Sequence, residues 1–224
     1  MTDVEQTLGD MFGFRRPWRM AAPERLAVIA ILEKLRPRCA IEVGTAEGGC
    51  LEAISRFSQS VWSIDVNPEV GAGLCQHFKN VEFLTGYPQK VLPEMIERAN
   101  VERLDIGFIL IDGDHSREGV GSDIGAVLKY VPVSSTVVLM HDSFNPECRR
   151  GIAEAPWQQS LHVHAVDLDL VPGVYWNPPV HGSSLWGGLG IAILRNHKRT
   201  QCLQMSAAYA PIFEQCRSAC GDRV

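Results

Sequence analysis

The sequence predicts an α/β fold in which a doubly wound, mostly parallel sheet carries helices on both faces. Short apolar runs alternate with helical patterns along most of the chain, as βαβ units require. The run IGFILI at 106–111 is apolar almost throughout, which indicates a strand buried on both sides. The last two strands follow each other without a clear helix between them, so we expect them to form an antiparallel pair at one edge of the sheet.

Each predicted element has a local reason. Pro23 can open the first helix, Arg36-Pro37 ends it, and Asn67-Pro68 opens a later one. Glycine or aspartate follows most of the apolar runs and marks where a strand ends. The predicted strands are 39–43, 61–66, 81–84, 106–111, 136–140, 161–170 and 189–194. The predicted helices are 24–35, 49–58, 68–79, 89–99, 117–130, 147–158 and 201–219.

Length and composition limit the classes of protein that fit. The 224 residues suffice for one domain over 23–224, preceded by a lead-in over 1–22 that can cover the site as a lid. A net charge of −5 argues against general nucleic-acid binding, and no apolar run reaches the ~20 residues of a membrane span. Seven cysteines without a Cys-x-x-Cys pair, and no signal pattern, favour reduced thiols in the cytoplasm. A homodimer is expected from base rates.

Open α/β sheets bind ligands beyond the carboxyl ends of their strands, so the residues there matter most. The first such stretch is EVGTAEGG at 42–49, where the glycines allow the backbone to approach a ligand closely. Ala46 stands where G-x-G-x-x-G has its second glycine, which weakens a pyrophosphate-binding interpretation. The carboxylate of Glu42 suits a cationic group such as an amine or a sulfonium. The alternative is a plain tight turn.

Two further strand ends indicate a nucleoside ligand. Asp65 ends the second strand, about 20 residues after the glycine turn, where a carboxylate can accept hydrogen bonds from both ribose hydroxyls. Gly86 follows the third strand and would lie near the adenine. These positions do not separate NAD from S-adenosylmethionine.

The fourth and fifth strands end in acids and histidines. Asp112 and His115 lie in IDGDHSREGV, and His141 and Asp142 lie in LMHDS. Such groups at the end of a central strand cost free energy unless they bind or react. If the two strands are neighbours, Asp112 and Asp142 can share one divalent ion. Because their ligand atoms are oxygens, the expected ion is Mg²⁺, Mn²⁺ or Ca²⁺. His141 can add a nitrogen ligand or simply pack, and both alternatives stay open.

The segment 171–188 lies between the last two strands and is rich in Gly, Pro and aromatic residues. Its Tyr175, Trp176, His181 and Trp186 can form a lid or an acceptor pocket. The alternative is that they cover the edge of the core or form a dimer contact.

Together these motifs resemble the class I S-adenosylmethionine-dependent methyltransferases over roughly residues 25–195. The stretches IEVGTAEGG, IDGDHSREGVGSDI and LMHDS are similar to those of small O-methyltransferases related to macrocin-type and cephalosporin-hydroxylase-like proteins. The resemblance implies a Rossmann-like methyltransferase fold with a seven-stranded sheet and a reversed last hairpin. It also implies that His115 is the general base. Some relatives have an acid where this chain has His141.

The resemblance and the residues together assign the site as follows. The predicted catalytic residues are His115 and Asp112. The predicted cofactor-binding residues are Glu42, Gly44, Thr45, Gly48, Asp65, Gly86 and Asp112. The predicted metal ligands are Asp112, His141 and Asp142.

The expected function is S-adenosylmethionine-dependent methylation of a hydroxyl on a small metabolite, such as a sugar or another natural product, assisted by Mg²⁺. A bound divalent ion lowers the pKa of a hydroxyl, and a histidine can then accept its proton. One alternative is an NAD-dependent oxidoreductase, which Ala46 and the absence of a Tyr-x-x-x-Lys pair argue against. Another is a cofactor-binding accessory protein without turnover.

Overall fold

The structure is a computed structural model that describes residues 13–176 and 184–220, with only the backbone of Tyr175 and Trp176. The strands in these ranges are β1 (Cys39–Val43), β2 (Ser60–Asp65), β3 (Val81–Thr85), β4 (Ile106–Ile111), β5 (Thr136–His141), β6 (Val163–Val171), β7 (Val174–Trp176), β8 (Ser184–Trp186), β9 (Leu189–Leu194) and β10 (Met205–Ser206). The helices are α1 (Ala22–Leu35), α2 (Gly49–Phe57), α3 (Pro68–Leu74), α4 (Pro88–Glu102), α5 (Arg117–Val127), α6 (Pro146–Glu154) and α7 (Ala210–Ala219).

Eight of the strands form one sheet in the order β10-β6-β9-β5-β4-β1-β2-β3. β9 runs antiparallel to β5 and β6, and the other neighbours are parallel. This confirms the predicted doubly wound, mostly parallel sheet with its antiparallel last hairpin. The seven predicted strands omit β10, which pairs with β6 through two residues only. β7 and β8 form a separate hairpin inside the segment predicted as a lid.

Several predicted helices are shorter in the structure, and prolines and glycines explain three of the differences. The helix predicted over 201–219 begins only at Ala210, because Pro211 is tolerated in the first turn of a helix but not in its interior. The helix predicted over 147–158 ends at Glu154, and Ala155 takes an extended conformation ahead of Pro156. The helix predicted over 68–79 ends at Leu74 and contains two glycines, which lower helix propensity.

The core lies on both faces of the sheet. In β4, Ile109 and Ile111 pack into the cluster with α4, α5 and α6, whereas Phe108 and Leu110 pack into the cluster with α1 and α2. This two-sided burial explains why IGFILI lacks the polar alternation of a half-exposed strand. No helix in the described ranges is long and apolar enough to cross a membrane.

The loop after β1 passes unusually close to the end of β4. Gly44 has a φ of 88°, in the left-handed region, and a Cβ added there would lie 2.1 Å from the carbonyl oxygen of Asp112. Only glycine can adopt this left-handed φ without strain and also leave room for the Asp112 carbonyl. This close approach brings the loop after β1 next to the acidic end of β4.

We expect Gly44→Ala to lower the free energy of unfolding by more than about 1 kcal/mol, because the residue would be strained and would displace Asp112. Gly125→Ala is the matched control, since an added Cβ on that α5 glycine meets no atom within 4 Å. The control should gain about 0.5–1 kcal/mol from helix propensity. Urea unfolding of both variants measures the difference, and equal effects would contradict the proposed steric conflict.

Candidate active site

The register of the central strands brings the predicted site residues together. Ile111 of β4 pairs with Met140 of β5, so the next residues, Asp112 and His141, come out side by side at the carboxyl end of the sheet. Val43 of β1 pairs with Ile111, which places Gly44 beside them. Asp142 has a φ of 56°, and its carboxylate lies close to the side chains of the other three. We call Asp112, His115, His141 and Asp142 the acid–histidine cluster.

The four side chains of this cluster are in direct contact. His115 Nε2 lies 3.0 Å from Asp142 Oδ2 and 3.7 Å from Asp112 Oδ1. His141 Nδ1 lies 2.9 Å from Asp112 Oδ1 and 3.4 Å from Asp142 Oδ2. One ligand atom each from Asp112, His115 and Asp142 lies within 4.8 Å of the others, so these three form a group that could hold a metal ion. This group contains His115 rather than the predicted His141.

Mutual interactions set the protonation states in the acid–histidine cluster. Hydrogen bonds to Asp112 and Asp142 outweigh partial burial and raise the pKa of His115 to about 10. Burial alone would lower the pKa of His141, but the charge of Asp112 and hydrogen bonds to both aspartates raise it overall. Burial alone would raise the pKa of each aspartate, but the histidines lower it. At pH 7 the cluster therefore balances two carboxylates against two imidazolium groups.

The loop at 44–48, which we call the glycine loop, is held by Asp65. The N–H groups of Thr45 and Ala46 donate to Asp65 Oδ2 at 3.0 and 3.1 Å, and Asn67 N–H donates to Oδ1 at 2.8 Å. Ala46 has a φ of 48°, a conformation uncommon outside glycine. Asp65 thus organises the loop and, having four lone-pair sites, keeps further acceptor capacity toward the cavity that it lines.

Glu42 lies beneath this loop rather than in the cavity. Its side chain is fully buried, and burial together with the charge of Asp112 raises its pKa well above the ordinary value. Ser63 Oγ donates to Glu42 Oε2 at 3.2 Å and lies 2.5 Å from Thr45 Oγ1, so a polar chain links Glu42 to the loop. The direct contact with a cationic ligand that the sequence suggested would require this carboxyl to become exposed.

An N-terminal segment and the β7–β8 hairpin form the walls of the cavity. Residues 13–21, which we call the N-terminal strap, cross the start of α2 so closely that a Cβ on Gly49 would lie 2.2 Å from Pro17 O. Arg19 pairs with Glu47 of the glycine loop. From the hairpin, the Trp186 ring meets the His115 ring edge-to-face at 5.7 Å between centroids. Of the predicted lid residues, His181 lies outside the described residues.

A cavity of about 1080 Å³ contains most of the predicted site. The predicted residues that line it are Gly44, Thr45, Asp65, Asp112, His115, His141 and Asp142. Glu42, Gly48 and Gly86 do not line it. Gly48 instead caps the start of α2 in a left-handed conformation, and Gly86 donates its N–H to the Asp65 carbonyl at 2.9 Å. The roles assigned to all these residues stay predictions.

Sequence reasoning missed the wall residue Glu24, and it included Trp18 only as part of the lead-in that can cover the site. Trp18 lines the cavity from the N-terminal strap, and its buried Nε1 has no hydrogen-bond partner among the described residues. Glu24 is 1% exposed and lies on α1. The only local signal for Glu24 is an acid three residues after a helix start, which ordinarily indicates a cap.

Comparisons with known proteins agree with this geometry. Residues 41–143 match a family model described as a methyltransferase domain. This part of the chain is similar to methyltransferase domains. This confirms the predicted relation to class I S-adenosylmethionine-dependent methyltransferases, and with it the expectation of an enzyme. The matched residues include the glycine loop and the whole acid–histidine cluster. The narrower macrocin-type subgroup stays a prediction. No curated protein matches the chain in sequence.

Solved structures share the fold at low sequence identity. An O-methyltransferase from Bacillus cereus in complex with SAH matches with a TM-score of 0.55 and 13% identity, over 85% of this chain and 88% of that one. TomG, an O-methyltransferase from Streptomyces achromogenes in complex with SAM, matches with a TM-score of 0.58 and 13% identity, over 79% of this chain and 81% of that one. A precorrin 8w decarboxylase from Methanobacterium thermoautotrophicum matches with a TM-score of 0.52 and 17% identity, over 80% of this chain and 92% of that one. The methyltransferase fold is therefore shared with a protein described by a different reaction.

One buried acid of the motif IDGDHSREGVGSDI takes no part in the acid–histidine cluster. Asp123, on α5, is 1% exposed, and neither carboxylate oxygen has a hydrogen-bond partner among the described residues. Burial, helped by the negative charge of Asp114, raises the pKa of Asp123 to about 7. This carboxyl is therefore half protonated near neutral pH.

We expect Asp123→Asn to change the pH dependence of stability. An unfolded Asp releases its proton near pH ~3.9, whereas the folded protein holds this one until about pH 7. Wild-type stability should therefore fall by up to about 1.4 kcal/mol per pH unit as the pH rises through that window. The variant lacks this loss, so its stability relative to wild type should rise between about pH 4 and 7 and then level off. Urea unfolding across the window measures this, and parallel curves for the two proteins would contradict it.

Proposed function

We propose that the protein transfers the methyl group of S-adenosylmethionine to a hydroxyl of a small metabolite such as a sugar or another natural product. The observation that carries the proposal is that Asp112, His115 and Asp142 meet in one cavity with the glycine loop and Asp65. Such a cavity can hold a nucleoside cofactor next to groups that orient and deprotonate an acceptor. The methyltransferase match and the relatives crystallised with SAM or SAH support it.

The charge of the cavity favours a cationic cofactor over a dinucleotide. Arg19 is the one Lys or Arg among the described lining residues, and it pairs with Glu47. The N–H groups of Thr45 and Ala46, which could bind a pyrophosphate, donate to Asp65 instead. The acids that line the cavity are Glu24, Glu47, Asp65, Asp112 and Asp142. A sulfonium is attracted to this surface, whereas the diphosphate of NAD is repelled.

His115 is the side chain placed to take the proton of the acceptor. S-adenosylmethionine, when bound, would supply a sulfonium-activated methyl group, whose carbon forms a bond to the acceptor oxygen while the C–S electron pair leaves with the sulfur. Beside two free carboxylates, His115 already holds a proton at pH 7, because its pKa is about 10. Positive charge next to Asp112 and Asp142 lowers that pKa. His115 can therefore act as a base only when these carboxylates are occupied.

The carboxylates of Asp112 and Asp142 fit a divalent ion. Their oxygens are donors that Mg²⁺ or Mn²⁺ can use, and His115, whose nitrogen lies within 4.8 Å of them, would stay off the ion as the base. An ion bound there would lower the pKa of the acceptor hydroxyl. We assign Asp112 and Asp142 as ligands. His141, the third ligand predicted from sequence, already hydrogen-bonds Asp112 through Nδ1 at 2.9 Å and supports that carboxylate.

The N-terminal strap and the β7–β8 hairpin are proposed to cover the acceptor. Pro17 and Trp18 line the cavity from the strap, and Trp186, whose ring meets that of His115, lines it from the hairpin. Apolar walls of this kind exclude water from a reacting centre. The predicted homodimer, cytoplasmic location and lack of nucleic-acid partners remain predictions.

Calorimetry should show that S-adenosylhomocysteine binds and that NAD does not. Asp65→Ala should weaken S-adenosylhomocysteine binding by at least about 10-fold, because the loop and the ribose both lose their acceptor. Asp105→Ala is the matched control, since Asp105 precedes β4 at the opposite end of the sheet and bonds Ser134. NAD binding with no S-adenosylhomocysteine binding would establish the oxidoreductase alternative instead.

A titration with Mn²⁺, followed by electron paramagnetic resonance of the free ion, should show a single site near the acid–histidine cluster. Asp142→Asn should weaken Mn²⁺ binding at least about 10-fold, because a carboxylate ligand is lost. Asp114→Asn should leave it unchanged, since Asp114 packs against Gly119 outside the three-residue group. If wild-type protein binds no Mn²⁺, the metal assignment is wrong while the cofactor assignment stands on its own test.

A further inference from the structure

We infer that Glu24 is a positioning residue that orients His141 and ties both walls of the cavity to the acid–histidine cluster. The inference rests on the proposed function for the meaning of that cluster. Its physical basis is a buried carboxylate on α1 that contacts three separate parts of the molecule.

The first contact of Glu24 is with the N-terminal strap. Ala21 N–H donates to Glu24 Oε2, which is the backbone half of a capping box at the start of α1. Arg25 on the same turn donates to the carbonyls of Trp18 and Met20. Hydrogen bonds to the side chains of both Glu24 and Arg25 therefore fix the end of the strap to α1.

The second contact is with the turn that follows the β7–β8 hairpin. Gly188 N–H donates to Glu24 Oε1, and Gly187 N–H donates to Asp142 Oδ1 at 2.6 Å. Both glycines have left-handed φ values, and a Cβ on Gly187 would lie 2.6 Å from Glu24 Oε1. Two consecutive amides thus join Glu24 to the acid that we assign to the metal site.

The third contact is with His141. Its Nε2 lies 3.5 Å from Glu24 Oε2, while its Nδ1 lies 2.9 Å from Asp112 Oδ1. The His141 side chain is only 10% exposed, and Nε2 has no hydrogen-bond partner among the described residues. Glu24 is the carboxylate toward which this nitrogen points. The ring is hydrogen-bonded to Asp112 through Nδ1 and lies within ion-pair distance of Glu24 at Nε2, which disfavours its rotation and so helps Asp112 to keep its orientation.

The consequence for the reaction is indirect. Glu24 fixes His141, His141 fixes Asp112, and the two glycine amides fix Asp142 and the hairpin. A loss of Glu24 should therefore disturb the acid–histidine cluster and the acceptor wall while leaving Asp65 and the glycine loop in place. A purely structural cap at the start of α1 would affect stability without reaching His141.

The test is Glu24→Gln, which keeps the size of the side chain but replaces one acceptor oxygen with a donor. Glu33→Gln is the matched control, because Glu33 lies on the same helix at an exposed position on its opposite face. In full-length protein labelled with ¹⁵N-histidine, the His141 ring nitrogens are measured directly, with His141→Asn used for assignment.

We expect Glu24→Gln to shift the His141 ring signals and to weaken Mn²⁺ binding several-fold, with S-adenosylhomocysteine affinity within about 3-fold of wild type. Glu33→Gln should change none of these. Glu24→Asp, which retains the charge but withdraws the carboxylate by one methylene, should shift the ring signals too and serves if Glu24→Gln does not fold. Unchanged His141 signals in the folded Glu24 variant would overturn the inference. Because the ring signals require no turnover, this result is independent of whether methyl transfer is found.

Discussion

The parallel register of β4 against β5 is the constraint on which the site depends. With Ile111 opposite Met140, Asp112 and His141 must emerge together at the carboxyl end of the sheet. The left-handed backbone at Asp142 places its carboxylate beside Asp112 and His115. A shift of one residue in this pairing would turn these side chains into the core. The buried side chains of β4 pack on both faces, with Ile109 and Ile111 on one and Phe108 and Leu110 on the other, so such a shift is costly and the site residues are held in place.

Charge balance is what makes this concentration of acids tolerable. Asp112 and Asp142 are largely buried, and burial without a counter-charge would favour their protonated forms. His115 and His141 provide that counter-charge from within the acid–histidine cluster, without a Lys or Arg. A histidine pair can give up its positive charge near physiological pH once another cation arrives, whereas an arginine pair cannot. The arrangement therefore suits a site that exchanges protons and cations.

The features that could be predicted from sequence are those determined by neighbours along the chain. Strand ends follow from apolar runs and the glycine or aspartate after them, and parallel strands deliver their ends to one edge, so the meeting of Asp112 with Asp142 could be expected. Apolar periodicity predicts helices that are too long near Pro156 and Pro211, because it takes no account of where these prolines end or begin a helix. The two-residue strand β10 carries no pattern at all, because its pairing depends on β6 being exposed at the sheet edge.

Glu24 shows why the walls of the site could not be predicted in the same way. Its bond to Gly188 spans 164 residues, and nothing in APERLAV marks that acid as different from an ordinary first-turn glutamate. The strand ends are placed by sheet topology, which repeating local patterns indicate. The N-terminal strap and the hairpin are placed by single contacts to a buried carboxylate, and single contacts leave no period in a sequence. The groups that we propose to react are therefore predictable from the sheet, whereas the walls that we propose to cover the acceptor are defined only by the folded chain.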